Sequence, residues 1–131
     1  MIVLDTHVLV WWAAGGSQLS RLAREAIEAE VPDGEILISA ISAWEVAMLA
    51  KAGRLALTMD AGAWLDTVAQ VPAVRFVPVD VRISVQSVDL PGEFHKDPAD
   101  RIIVATARHH SVPVVSADLK IRDYPHVQTI W

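Results

Sequence analysis

The sequence predicts an α/β fold of three layers, α/β/α, around a central parallel sheet, formed as one domain over residues 1–131. Three observations carry that prediction. Apolar runs such as Met1-Ile2-Val3-Leu4 and Ile36-Leu37-Ile38 are continuous rather than alternating, which marks strands buried on both faces. Longer segments with helix-start and helix-stop residues separate those runs, and strands alternating with helices imply a parallel sheet covered on both sides. Hydrophobic residues make up 53% of the chain against 21% charged, and 131 residues suffice for one sizeable core but not two.

Met1 to Leu4 is the first strand. Thr6 to Ala14 follows as a helix ended by Gly15-Gly16. Ser20 caps a helix to about Val31, with Leu22, Ala23, Ala26 and Ile27 on its inner face, and Pro32-Asp33-Gly34 turns the chain. Ile36 to Ser39 is the second strand. Ser42 starts a helix through Ala52 that Gly53 closes, and Asp60 caps another over Ala61 to Val71, stopped by Pro72. Val74 to Val79 reads as a strand and Asp80 to Val88 as a short helix. Leu90 to Pro98 is irregular, Ala99 to His109 is a strongly apolar helix, and Val112 to Ser116 and Val127 to Ile130 are the last strands. There is no repeat, low-complexity tract or linker.

Composition narrows the function. The chain has no cysteine, which excludes disulfides, thiolate metal sites and cysteine nucleophiles, and fits the cytoplasm as the expected compartment. No apolar run approaches the roughly 20 residues of a membrane span, and no basic leader precedes Asp5. The formal net charge of −5 argues mildly against avid binding of nucleic acid, unless a metal neutralises several acids and the basic residues form a local strip.

The placement of acids is more specific. Asp5 ends the first strand, Glu45 lies past the second, and Asp97 and Asp100 open the helix Ala99–His109. Asp118 follows Val112–Ser116. Open parallel sheets bind ligands outside the carboxyl ends of their strands, so these acids fall on one predicted edge. Gathered carboxylates repel one another unless a cation sits among them, and such a set suits a divalent metal. Thr6 and Ser116 could orient metal-bound water. Each acid also has a capping role open to it: Asp5 before Thr6, Ser42-x-x-Glu45 as a capping box, Asp97-Pro98 as a helix start, Asp118 as a turn holder. Capping explains each acid singly. It does not explain their shared edge.

Taken in order, Ile2-Val3-Leu4-Asp5-Thr6-His7, Ile38-Ser39-Ala40-Ile41-Ser42-Ala43-Trp44-Glu45, Asp97-Pro98-Ala99-Asp100-Arg101 and Val115-Ser116-Ala117-Asp118 resemble the PIN domain over essentially the whole chain. More closely, they resemble VapC-type toxins of bacterial toxin–antitoxin pairs. The resemblance implies that Asp5, Glu45, Asp100 and Asp118 form the catalytic and metal site, with Thr6 and Ser116 as its hydroxyls. Asp97 belongs to the His95-x-Asp97-Pro98-x-Asp100-Arg101 variant, as a further ligand or a helix cap. It also implies endoribonuclease activity dependent on Mg²⁺ or Mn²⁺, a homodimer, and a small antitoxin that inserts a C-terminal segment, often with an Arg, into the acidic pocket.

Among the remaining residues, His95, Lys96, Arg101, Lys51, Arg54 and Arg108 are the candidates for phosphate contact, although each taken singly reads as a solvated charge. His7, His109, His110 and His126 read as structural or exposed. Trp11 and Trp12 cannot both face the core of one helix, so one of them is expected at an interface with the antitoxin or a second subunit. Arg21–Glu25 and Arg24–Glu28 are helix-surface pairs. Two rival functions stand beside the nuclease. One is a binding module that keeps the fold without the chemistry, which the intact acid set disfavours. The other is a phosphotransferase with Asp5 as nucleophile, which His7 disfavours by occupying the place where such enzymes carry a second Asp.

Overall fold

The computed structural model describes residues 1–131. Five parallel strands, β1 (Ile2–Leu4), β2 (Ile36–Ser39), β3 (Val74–Val77), β4 (Val114–Val115) and β5 (Thr129–Ile130), lie in the order β3-β2-β1-β4-β5. β1 pairs β2 through Ile2↔Ile36 and β4 through Val3↔Val114. Strand order therefore reverses at β1, and the crevice beside its carboxyl end is where a sheet of this kind holds a ligand.

Strand alternation divides the core in two. Ile2, Leu4, Ile36, Ile38 and Val115 face one layer, packed by α1 (Thr6–Ala13), α2 (Arg21–Glu30) and α4 (Ala61–Ala69) through Val8, Leu9, Ala23, Ile27, Trp64 and Val68. Val3, Leu37, Val77 and Val114 face the other, packed by α5 (Val81–Val88), α6 (Pro98–His110) and α7 (Leu119–Arg122). Helix α3 (Ala40–Lys51) reaches both, with Val46 in the first layer and Ile41 against the second. Three layers result, as the continuous apolar runs require. No helix is long and apolar enough to cross a membrane.

Several boundaries differ from the sequence expectation. Helix α3 starts at Ala40, because Ser39 is both the last residue of β2 and the cap, its Oγ accepting from the Ile41 amide at 3.2 Å. Ser42 is thus buried in the first turns rather than capping, and Glu45 is not the acid of a capping box. β3 stops at Val77, since Pro78 brings no amide hydrogen to a ladder. Helix α7 replaces what read as a turn, with Asp118 as its cap. Leu22 is 52% exposed rather than inward, because Ala23 and Ile27 define the inner stripe of α2. Neither helix-surface ion pair forms on α2, and Arg24 instead donates to the Gly16 carbonyl. That carbonyl belongs to the Gly15-Gly16 turn, where φ of 104° and 78° is backbone that only glycine adopts freely.

Candidate active site

The segments that follow β1, β2 and β4 each deliver a polar group to the carboxyl edge of the sheet. Asp5, one residue past β1, is 4% exposed, yet its carboxylate is well supplied with donors. Oδ1 accepts from the Thr6 amide at 2.8 Å, which caps α1, and Oδ2 accepts from Ser116 Oγ at 2.6 Å across the reversal point of the sheet. His7 Nδ1 lies 3.4 Å from the same Oδ2. His7 Nε2 accepts from the Ala117 amide at 3.1 Å, so in the neutral ring the proton sits on Nδ1, facing Asp5. The imidazole thus ties the turn after β4 to the end of β1, a structural role.

Thr6 extends the network to α3. Its hydroxyl donates to Glu45 Oε1 at 2.5 Å and lies 2.8 Å from Ser42 Oγ. A hydroxyl has one hydrogen, so with Thr6 donating to Glu45, Ser42 donates to Thr6. Ser42, which reads as a helix cap in the sequence, is therefore a buried support of the site. Burial raises the Glu45 pKa, the Thr6 bond opposes that, and the charges of Asp5 and Asp97 add to it. Ser116 Oγ also accepts from the Asp118 amide at 3.0 Å, and Asp118 Oδ1 caps α7 at the Lys120 amide, 2.9 Å away.

Asp100 stands in the first turn of α6. Burial first, then the charges of Asp5, Asp97, Asp118 and Glu45, push its carboxyl up to about 7. Asp5, Thr6, Glu45, Asp100 and Asp118 line one cavity of about 310 Å³, walled on its apolar side by Val10, Trp11, Leu49 and Leu55, with Arg54 on the rim. Asp97 stays outside this cavity. It caps α6 by accepting from the Asp100 amide at 3.0 Å and borders an adjoining groove with Trp44 and Met48.

No three acidic or imidazole side chains are already gathered at ligating separation. The reason is visible in the bonds just given: Asp5, Glu45 and Asp118 each turn an oxygen to a local donor instead of to one another. The donor set nonetheless fits a hard divalent cation. It consists of carboxylate oxygens in a partly buried pocket, where burial first and the repulsion of neighbouring carboxylates next hold the Asp100 carboxyl up at about 7, and a cation relieves that repulsion. A second cleft of about 320 Å³, between α6 and the 126–128 segment, holds Arg108 and His126 but no carboxylate.

The expected phosphate contacts divide. Arg54 lines the cavity and Lys51 and Lys96 are exposed, whereas Arg101 is no surface charge: it donates to the carbonyls of Ser87, Val88, Phe94 and His95. Arg108 is bonded to the His126 carbonyl. Trp11 and Trp12 are both half-buried against their own core, Trp11 edge-on to His7 and tilted on Trp131. Trp11 also walls the acidic cavity and Trp12 borders two further clefts, while Trp44, on α3, is 58% exposed.

Residues 2–127 match the PIN domain family. The chain belongs to that family. Ribonuclease VapC22 of Mycobacterium tuberculosis is 37% identical over 132 residues, covering 99% of this chain and 98% of that protein, which places this PIN domain among the VapC proteins. A toxin–antitoxin complex from Klebsiella pneumoniae superposes with a TM-score of 0.66 at 25% identity, covering 97% of this chain and 95% of that one. VapBC2 from Rickettsia felis, bound to a promoter DNA fragment, shares the fold at a TM-score of 0.71 and 16% identity, covering 98% and 97%.

Proposed function

We propose that this PIN domain is a metal-dependent endoribonuclease and the toxin of a toxin–antitoxin pair, acting in the cytoplasm. The observation that carries the reading is the convergence of Asp5, Glu45, Asp100 and Asp118, from four separate segments, on one cavity at the carboxyl edge of the sheet. The relationship to a VapC ribonuclease over the full chain supports RNA as the substrate.

In this reading Asp5, Glu45, Asp100 and Asp118 hold Mg²⁺ or Mn²⁺, which when bound polarises a phosphoryl oxygen and lowers the pKa of water. Asp97 serves as the cap of α6 and adds negative potential from outside. Thr6 and Ser116 fix the carboxylates: each hydroxyl donates to one acid, Thr6 to Glu45 and Ser116 to Asp5, and so sets which oxygens stay free. Arg54, on the rim, is the cation placed to meet the RNA backbone. Against the phosphotransferase alternative, the place two residues past Asp5 where such enzymes carry a second Asp holds His7, which is committed to the Ala117 amide.

The same reading gives the toxin two protein partners. An antitoxin that carries a basic side chain complements the acidic cavity. A second copy fits α5, whose Val81, Val85 and Val88 are 82%, 55% and 74% exposed at i, i+4 and i+7, a single apolar stripe. Antiparallel pairing about a two-fold axis at Val85 sets Val81 against Val88 of the second copy. It also puts Arg82 beside Asp89 of that copy, twice over.

The test uses antitoxin-free protein and structured RNAs, with Mg²⁺ or Mn²⁺ and then with EDTA, beside Asp5→Asn. Cleavage that needs metal and disappears in the variant is expected. Equal RNA integrity in every lane, with active control nucleases, would sink the proposal.

A further inference from the structure

The chemistry proposed above gives His95 no role. Its Nε2 is buried, has no hydrogen-bond partner, and lies 3.0 Å from Asp100 Oδ2 in a contact off hydrogen-bond alignment. Nothing in the start of α6 calls for an imidazole, because Asp97 already supplies the cap and Pro98 the first residue. The surrounding segment is nevertheless built to hold this ring. Arg101 Nη1 donates to the Phe94 and His95 carbonyls at 3.0 and 3.2 Å, while its Nε and Nη2 fasten to the Ser87 and Val88 carbonyls at 2.8 and 3.1 Å. The Phe94 ring stands edge-on to the imidazole at 4.5 Å and rests on Tyr124 at 4.7 Å. Tyr124 is itself buried and bonded to the Pro91 carbonyl. The residue after Asp100 thus fixes the backbone of His95, and the Phe94 ring, backed by Tyr124, packs against its side chain.

Asp100 needs such a partner. Asp5, Glu45, Asp97 and Asp118 all repel it, and an aspartate with free χ1 relieves that repulsion by turning away from the other acids. We propose that His95 is a positioning residue: its Nε2–H holds Oδ2 of Asp100 against this repulsion and leaves Oδ1 for the cation. A small rotation of the carboxylate aligns the 3.0 Å contact into a hydrogen bond. Groups that orient a metal-binding carboxylate in this way govern metal affinity without touching the metal. The spacing His95-x-Asp97-Pro98-x-Asp100-Arg101 is then one closed clasp, in which Asp97 starts the helix, Arg101 returns to the loop, and His95 meets Asp100.

This inference rests on the acid cavity being the cation site, and its test is independent of RNA cleavage. Mn²⁺ binding to the antitoxin-free chain is followed by electron paramagnetic resonance of the free ion, for wild type, His95→Leu and His95→Gln. His95→Leu is expected to bind Mn²⁺ about tenfold or more weakly. His95→Gln, whose amide N–H reaches Asp100, regains most of that loss, and both unfold in EDTA close to wild type. Wild-type affinity in His95→Leu overturns the proposal, as does equal weakening in both variants. If His95→Leu does not fold, His95→Asn, polar but too short to reach Asp100, takes its place and decides in the same way. Wild-type protein that binds Mn²⁺ but cuts no RNA removes the nuclease reading and leaves this one standing. Wild-type protein that binds no Mn²⁺ overturns both.

Discussion

Asp100→Asn should stabilise the metal-free protein while removing its activity. The Asp100 carboxyl is raised from 3.8 to about 7, by burial and by four neighbouring carboxylates. At pH 8 the group is ionised in both the folded and the unfolded chain, so the folded state alone bears the penalty. Three units correspond to about 4 kcal/mol at about 1.36 kcal/mol per unit. Solvent at the mouth of the cavity screens part of this penalty, which leaves about 2 kcal/mol. Asparagine keeps the shape and removes the charge, giving up about 0.5 kcal/mol of favourable interaction with the N-terminus of α6. The net gain of about 1.5 kcal/mol raises the melting point by about 5 °C for a chain of this size.

The assay is thermal unfolding of both proteins in EDTA across pH. Between the unfolded value of 3.8 and the folded value near 7, the folded chain retains a proton that the unfolded chain has released. Wild-type stability therefore falls as pH rises through that window. The advantage of the variant should be absent near pH 4 and complete by pH 8. Saturating Mg²⁺ should then reverse the order, because the wild type gains the binding free energy of the ion and the variant gains less. A variant that melts below wild type in EDTA at pH 8 would refute the reasoning, since it would show the carboxylate to be satisfied by the fold rather than strained by its neighbours.

Three further outcomes follow from the same contacts. Arg101→Met leaves four carbonyls without their donor and should cost about 3 kcal/mol in urea unfolding, far more than loss of a solvated arginine. Ser116→Ala removes the donor to buried Asp5 Oδ2 and the acceptor for the Asp118 amide; a loss of about 2 kcal/mol is expected by the same measurement, together with weaker Mn²⁺ binding in titration calorimetry. Val85→Asp puts a charge on the axis of the α5 stripe and should yield a monomer by light scattering, with the melting point of the monomer unchanged; an unaltered dimer would move the interface elsewhere.

How much of this could be read from the sequence depended on range. Ile36-Leu37-Ile38 announces a buried strand because burial on both faces leaves no polar alternation, and a parallel sheet follows from that local fact. The α/β/α layering and the gathering of Asp5, Glu45, Asp100 and Asp118 at one edge were legible for the same reason. Ser39 and Ser42 were not distinguishable as caps, since both precede apolar helix residues and only the loopless junction with β2 selects Ser39. Arg101 looked like a phosphate contact because its carbonyl partners lie 6 to 14 residues earlier, at the end of α5 and in the irregular segment after it. Helix α7 is too short to show a period. Trp11 and Trp12 satisfy their expected conflict by each being half-buried, while Trp44, on a helix apolar all round, gave no sign of which face would be bare.

The choice posed by the acids, cap or ligand, dissolves in the geometry. In a parallel α/β sheet the carboxyl end of each strand is followed by a helix N-terminus, so an acid placed to face the crevice is also placed to cap. Asp5 caps α1, Asp97 caps α6 and Asp118 caps α7, each through one carboxylate oxygen. A carboxylate offers about four lone-pair positions, and capping uses one. The helix amides also contribute partial positive charge where the acids crowd, which lowers the free energy of gathering them before any cation arrives. Capping is then part of how a folded chain tolerates this site, and the acids that lack such support identify themselves. Glu45, with a threonine hydroxyl in place of a cap, and Asp100 are held by no helix cap of their own, and burial first and the neighbouring charges next raise the pKa of both. The residual strain of the cavity sits on those two groups, where a divalent ion has the most to relieve.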